Sequence, residues 1–600
     1  MENIFAARVE AIRAMMREHG WDAVVLTGSD PHASEYPARR WKQVEWVSGF
    51  TGEAGDLCIT LDHAGLWTDT RYFIQAVKQL SGTGIELHKM RVPEQVPIPQ
   101  WLSSQGFPEP VIAVDGLCQT VSAVAALKAA FDVPVTVVSV PDLLSPLWPD
   151  RPAIPSTPVI TLGEDLAGES RESRLHWLRK WMILHNLDAV LLTALDEIAW
   201  LLNVRGSDVD YNPVVISYLL VTLEDVLWFV RKDGYLDPDE ETEASFGEVE
   251  ADEVTVCDYG EVCLSFSTRV SDEVQRIYVD PDSLNLQIRE CLEECAFDVV
   301  EGPSPVPLRK AVKNAVEIDG MREAHLEDGL AMEKFLYWLE GQVGQVEVWE
   351  AACKLQSLRA EIPGYRGDSF ETISAYGPGA ALPHYVTPHV NAPVLEPHGL
   401  YLVDSGGQYL FGTTDITRTV PLGPCTALER EDYTLVLRGH IDLAMSVFPA
   451  GTAGCQLDLA ARAPLWQTKR NFGHGTGHGI GFFLNVHEGP QDIRQNFNAQ
   501  PLLPGMITSD EPGIYREGMH GVRHESLVVT REDGRNDFGA WYSFEVLTLC
   551  HIDTSCLMRD LMTPEEIAWL NAYNERVYRT LSPRLPAEVA EWLREKTRAI

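Results

Sequence analysis

The chain has 600 residues and a formal charge of −40, from 48 lysines and arginines against 88 aspartates and glutamates. A surface that acidic disfavours nucleic acids and anionic membranes as partners. No stretch approaches the roughly 18 to 20 apolar residues that span a bilayer, and an apolar content of 45% is that of a globular protein too long for a single core.

The N-terminal stretch MENIFAARVEAIRAMMREHG has charges throughout and lacks the apolar run of a signal peptide. Eleven cysteines, none in a C-x-x-C pair, predict reduced thiols and a cytoplasmic protein. Two proline-rich stretches punctuate the chain. PDLLSPLWPDRPAIPSTP has six prolines between Pro141 and Pro158, and EGPSPVP holds Pro303, Pro305 and Pro307. Proline interrupts ladders and helices, so both read as linkers. The expected units are 1–152, 153–308 and 309–600.

An internal repeat supports the division. HGWDAVVLTGSD at 19–30 matches HNLDAVLLTALD at 185–196, at an offset of 166. In each copy a helical segment leads into a buried-strand run, so the first two units are duplicates of one α/β design. Neither carries a glycine fingerprint for nucleotides, and both read as scaffold. The densest acidic run, DPDEETEASFGEVEADE at 237–253, reads as a loop or an exposed helix.

The third unit opens on a helical pattern, GMREAHLEDGLAMEKFLYWLE, and then turns strand-rich. YLVDSGGQYLFGTTDITRTV, with Asp404 and Asp415, alternates around a glycine-rich turn and reads as a hairpin. A turn centred between Tyr409 and Leu410 sets Asp404 opposite Asp415, where two carboxylates repel unless a cation lies between them. HGTGHGIGFFLNVHEGP at 474–490 offers His474, His478 and His487. The first two are spaced i, i+4 as on a zinc helix, but Gly475, Gly477 and Gly479 each cost a helix interior about 1 kcal/mol. The segment therefore reads as a loop followed by a strand, IGFFLNV.

GMITSDEPGIYREGMHGVRHESLVV adds Glu511 and Glu525 beside strand-like sequence, where an inward-pointing acid needs a partner. Two aspartates, two glutamates and one histidine make an oxygen-rich set. It suits two hard or borderline divalent ions better than a structural zinc, which prefers cysteine and histidine. Bridging carboxylates would hold the ions about 3.5–4 Å apart. Near the end, TPEEIAWLNAYNERVY starts a helix, with Thr563 as N-cap, Pro564 at the first position and Glu566 closing a capping box. Ile567, Leu570, Tyr573 and Val577 then form a packing stripe.

Taken in order, DSGGQYLFGTTDITRT, HGTGHGIG, DEPGIY and GVRHE resemble the pita-bread metallopeptidases, and within them the long, three-domain aminopeptidase P (Xaa-Pro aminopeptidase) branch. The likeness also takes in SEYPARRWKQVEWVSGFTGEAG, LWTDTRYFIQA, TALDEIAWLLNVRGSDVDYNP and KAVKNAVEIDGMREAH, nearly the whole chain. It implies a mixed α/β and α+β protein: two duplicated α/β N-terminal domains followed by a pita-bread catalytic domain. It implies two divalent ions per chain, taken as Mn2+. Asp404 would be a terminal ligand of one, His478 and Glu511 would bind the other, and Asp415 and Glu525 would bridge. His384, His474 and His487 fall where the family has substrate-binding and proton-handling histidines, and Arg71 where it has a peptide-binding arginine. Tyr515 and Arg523 would steady the carboxylates.

Three departures stand out. Phe411 replaces the usual Asp before GTTD, Ser526 the usual Asn after the last glutamate, and AALPHY is bulkier than the usual run before its histidine. They touch loop geometry and no ligand.

The resemblance implies a dinuclear aminopeptidase that releases the first residue of peptides with proline at position 2, by attack of a hydroxide held between the ions. Glu511 would shuttle the proton, and His487 with a metal would stabilise the oxyanion. A homodimer formed through the front domains is also implied. A catalytically dead pita-bread module that binds basic proteins, or a creatinase-like hydrolase that needs no metal, would have no use for all five ligands.

Overall fold

The structure, a computed structural model, describes residues 3–231 and 240–600. It has two compact units. One runs to Val306 without Asp165–Gly168, and the other holds that short piece with Pro307–Ile600.

The first unit contains two six-stranded sheets of the same topology. In the first, the order is Glu86–Lys89, Ala64–Thr68, Asp56–Thr60, Ala23–Leu26, Val111–Val114 and Thr136–Ser139. In the second it is Val254–Asp258, Val226–Val230, Ser217–Thr222, Ala189–Leu192, Arg276–Val279 and Asp298–Glu301. Each sheet reads parallel, antiparallel, antiparallel, parallel, parallel from that edge. The strands Ala23–Leu26 and Ala189–Leu192 occupy the same place, as the repeat predicts. A helix precedes each: Ile4–His19, capped by Asn3 and ended by left-handed Gly20, buries Val9, Ile12 and Met16; Arg171–Leu184, capped by Ser170, buries Leu175, Leu178 and Met182.

Two expectations change here. Cys263 and Cys291 form a disulfide between the helices Val262–Thr268 and Leu286–Glu294, so the prediction of reduced thiols fails for this pair. The helices pack together over the second sheet, a tertiary proximity that a spacing of 28 residues does not advertise. Of the acidic run, Glu240–Ala251 is helical, while 237–239 lie outside the described residues.

In the second unit the long helix Ala315–Glu340 starts at a capping box between Asn314 and Glu317. A six-stranded sheet runs Val447–Pro449, Gly539–Val546, Ser526–Asn536, Ile507–Asp510, Gly477–Gly479 and Glu488–Ile493, and a three-stranded one Ile373–Tyr376, Leu400–Ser405 and Ile416–Pro421. The helix Pro564–Leu581 begins at the predicted Thr563–Glu566 box and buries Leu570, Tyr573 and Val577 in the main core, with Ile567 packed against it.

The hairpin is real, but its register differs. Asp404 pairs with Thr417, and Tyr409 with Gly412, so the turn centres between Leu410 and Phe411 and Asp415 does not oppose Asp404. The reason is Gly406. A Cβ there would fall 2.0 Å from the Thr414 carbonyl oxygen, a close approach of the two chains that only glycine allows. Nor is IGFFLNV a strand. It is a buried loop between Gly477–Gly479 and Glu488–Ile493, closed by Gly481 N–H donating to Asn485 O at 2.9 Å and held by Gln408 Nε2 donating to Leu484 O at 2.8 Å. These bonds, one within the loop and one from a distant side chain, stand in for a ladder and leave the apolar residues buried without strand geometry.

Candidate metal centre

Four carboxylates converge in the second unit. Asp404 is the next-to-last residue of one strand of the hairpin, Asp415 precedes the other, Glu511 follows Ile507–Asp510, and Glu525 lies between His520–Arg523 and Ser526–Asn536. Asp404, Asp415 and Glu525 are buried. His478, on Gly477–Gly479, directs Nε2 to within 3.5 Å of Asp415 Oδ2 and 3.4 Å of Glu511 Oε1. Its Nδ1 lies 3.0 Å from Gly479 O. A carbonyl only accepts, so Nδ1 carries the hydrogen and Nε2 presents a lone pair to two carboxylates.

That arrangement is unfavourable by itself. Burial, then the charges of Asp404 and Glu511, push the Asp415 carboxyl well up. Burial, with Asp415 and Glu511 next, does the same to Glu525. Glu511 is pushed up to about 7, by burial first and by Asp404 in the same direction. Asp404 Oδ1 and Glu525 Oε1 are buried without a hydrogen-bond partner. Ligand atoms of Asp415, His478 and Glu525 all lie within 4.8 Å of one another. Lone pairs, uncompensated negative charge and orphaned oxygens facing one space fit divalent cations, and an oxygen-rich set with one imidazole fits hard or borderline ones.

A second layer holds the carboxylates. Thr417 Oγ1 donates to Glu525 Oε2 at 2.7 Å, and Ser509 Oγ to Glu511 Oε1 at 3.2 Å. Arg523 Nη2 donates to Asp404 and Nη1 to Tyr515 Oη, the latter at 2.6 Å. The Tyr515 hydroxyl lies 2.8 Å from His474 Nε2, and His474 Nδ1 2.7 Å from Gly475 O. His474 is thereby linked to Asp404 through Tyr515 and Arg523. The ring of His487 stands 4.3 Å from that of His478, at 76°. His384 follows Pro383, whose carbonyl is 3.5 Å from Arg523 Nη2. Arg71 lies in the first unit, in a two-pronged pair with Asp69 at 2.8 and 2.9 Å.

Some holding residues escaped the sequence reading. Thr417 sits two residues from Asp415, and Ser509 two from Glu511, so strand alternation could have found both. Lys310 and Lys313, which clasp Glu488 next to His487, left no local signal of their partner.

Comparison with known proteins agrees with this geometry. Residues 319–532 match metallopeptidase family M24, 540–600 its C-terminal region, and 8–147 and 150–317 each match a creatinase/prolidase N-terminal domain. The chain is 36% identical to aminopeptidase P1 of Arabidopsis thaliana, over 99% of both chains, and 35% identical to aminopeptidase P1 of Lotus japonicus over the whole of both. It is similar to the crystal structure of X-prolyl aminopeptidase from Caenorhabditis elegans, described as a cytosolic enzyme with a di-nuclear active site, at a TM-score of 0.92 and 33% identity over the full length of both. Two duplicated creatinase-type N-terminal domains, a pita-bread catalytic domain and the converging carboxylates thus sit in one chain, and this chain belongs to the aminopeptidase P family of M24 metallopeptidases.

Proposed function

We propose that this chain cleaves the first peptide bond of peptides whose second residue is proline, releasing the N-terminal amino acid. The observation that carries the reading is the cluster of buried Asp404, Asp415 and Glu525 with half-buried Glu511 around His478. The names of its relatives, aminopeptidase P1 and X-prolyl aminopeptidase, support the substrate class.

Asp404 would hold one ion, His478 and Glu511 the second, with Asp415 and Glu525 shared. Two divalent ions, Mn2+ on this reading, supply a water acidic enough to ionise near neutral pH and an electrophile for the scissile carbonyl. The protein's own groups do the rest. Glu511 takes the proton of the attacking water at its carboxylate and passes it to the leaving proline nitrogen. His487 donates to the carbonyl oxygen as charge develops there. His384 holds the peptide beyond the bond, and His474 acts with Tyr515 in proton handling. The acidic cluster also attracts the free N-terminal amine. A homodimer in the cytoplasm completes the proposal. The cytoplasmic part is supported by the length-for-length likeness to a protein described as cytosolic, and the homodimer rests on the family resemblance alone.

The Xaa-Pro bond is a tertiary amide with no N–H, and the ring fixes φ. Contacts to the next carbonyl therefore depend on proline, and discrimination against alanine should exceed the 10- to 200-fold expected of a methylene. Release of arginine is compared for Arg-Pro-Pro, Arg-Ala-Pro and N-acetyl-Arg-Pro-Pro. Only the first should be cut efficiently. Equal cleavage of the alanine peptide overturns the proline assignment, and cleavage of the blocked peptide overturns the aminopeptidase one.

A further inference from the structure

The edge of the first sheet gathers a second set of donors. Ala64–Thr68 and Glu86–Lys89 pair in parallel, with Gly65 beside Glu86 and Trp67 beside His88. Alternate residues of a strand share a face, so Gly65, Trp67, Glu86 and His88 stand on one side. His63, at the turn before Ala64–Thr68, joins them there. The Nε2 atoms of His63 and His88 are 3.1 Å apart, and Glu86 Oε2 is 3.8 Å from His63 Nδ1. One ligand atom from each of the three lies within 4.8 Å of the others.

The surroundings hold both rings in place. His88 stacks on Trp67 at 3.8 Å and 7°, and His63 leans on Trp101 at 4.6 Å. Gly65 is what lets His88 lie flat across the strand. A Cβ at that position would come within 2.7 and 2.8 Å of Cδ2 and Nε2 of His88. Glu86 is largely open to solvent and His63 about one-fifth so, which gives an ion a way in.

We propose that His63, His88 and Glu86 form a binding site for one borderline divalent cation of the zinc class, separate from the carboxylate cluster. A tetrahedral ion holding two imidazole nitrogens at about 2.05 Å sets them about 3.3 Å apart, close to the separation seen. Two imidazoles and one carboxylate select zinc, nickel or copper over manganese or magnesium, which favour oxygen. The carboxylate cluster has the opposite bias, so the two sites sort metals by chemistry. Without an ion, one Nε2–H simply donates to the other nitrogen.

The experiment uses the full chain loaded with excess Mn2+ and then dialysed against a series of Zn2+ concentrations, with total divalent metal counted per chain. The wild type should hold one ion more than the variant carrying both His63→Gln and His88→Gln, while cleavage of Arg-Pro-Pro by the Mn2+-loaded enzyme stays the same in both. Glu86→Gln changes an exposed side chain and does not threaten the fold. It should weaken the extra site by at least about 10-fold. Equal metal counts in the wild type and the double variant overturn the site and leave a hydrogen-bonded histidine pair. Unchanged zinc affinity in Glu86→Gln overturns the three-ligand assignment.

Discussion

Lys310 Nζ lies 2.6 Å from Glu488 Oε2, and both side chains are buried. Lys313 takes the other carboxylate oxygen, so two ammonium groups clasp the residue that follows His487. Removing one partner of a buried ion pair leaves an uncompensated charge and costs about 3–5 kcal/mol. Glu488→Gln should therefore lower the free energy of unfolding by that much, read from urea denaturation, and lower kcat/KM by displacing His487, with bound metal retained. A variant as stable and as active as the wild type would show that the clasp positions nothing.

Asp415 sits among charged neighbours, with Asp404 and Glu511 acting on it and His478 Nε2 3.5 Å from its Oδ2. Mn2+-loaded protein should contain close to two ions per chain by elemental analysis. Asp415→Ala should bind them at least about 10-fold more weakly and lose most activity. Full activity in this variant would remove the two-metal reading.

His487 stands against His478 without being placed as a ligand. If it donates to the developing oxyanion, His487→Ala should reduce kcat/KM by roughly 10²-fold or more with the metal count unchanged. Loss of the metals would reassign it as a support of the centre, and wild-type kinetics would leave it no role.

Stripped of divalent ions, the protein should become less stable as pH rises. Burial and mutual repulsion raise the carboxyl pKa values of Asp415, Glu525 and Glu511, the last to about 7. From the ordinary carboxylate range near pH 4 up to about 7, the folded state thus binds protons that the unfolded state has released. Stability present at low pH is then lost as pH rises through the folded values. The urea midpoint of EDTA-treated protein should fall between pH 5.5 and pH 8, fall less in Glu525→Gln, and recover on adding Mn2+. A midpoint that rises over this interval in the stripped protein contradicts the electrostatic account.

What could be read from the sequence follows the range of the interaction behind each feature. The capping box at Thr563 and Glu566 involves groups three residues apart, and it appears where the residues say. The five clustered site residues were found through motifs, and the structure brings Asp415, His478, Glu511 and Glu525 into one space. The hairpin register was off because the close approach at Gly406 depends on Thr414 across the turn. IGFFLNV looked like a strand because its apolar residues are buried. One of the bonds that hold it as a loop comes from Gln408, over 70 residues away, and burial alone does not distinguish strand from packed loop. The Cys263–Cys291 bond and the Lys310–Glu488–Lys313 clasp are likewise set by folding, not by neighbours in sequence.

The repeated sheet in the first unit makes the chain its own control. Following the ladders outward from Ala23 and Ala189, Gly65 corresponds to Leu227, Glu86 to Thr255 and His88 to Cys257. His63 corresponds to Asp225, since each accepts the same backbone bond, from Thr60 and from Thr222, at 2.8 Å. One architecture accommodates both sets of side chains, so neither is demanded by folding. Tandem copies in a single reading frame are paralogues that are always synthesised in equal number and can never be inherited apart. A sheet edge whose side chains differ between two copies, on a backbone kept in both, is one that can take on a task in one copy while the other goes on holding the fold.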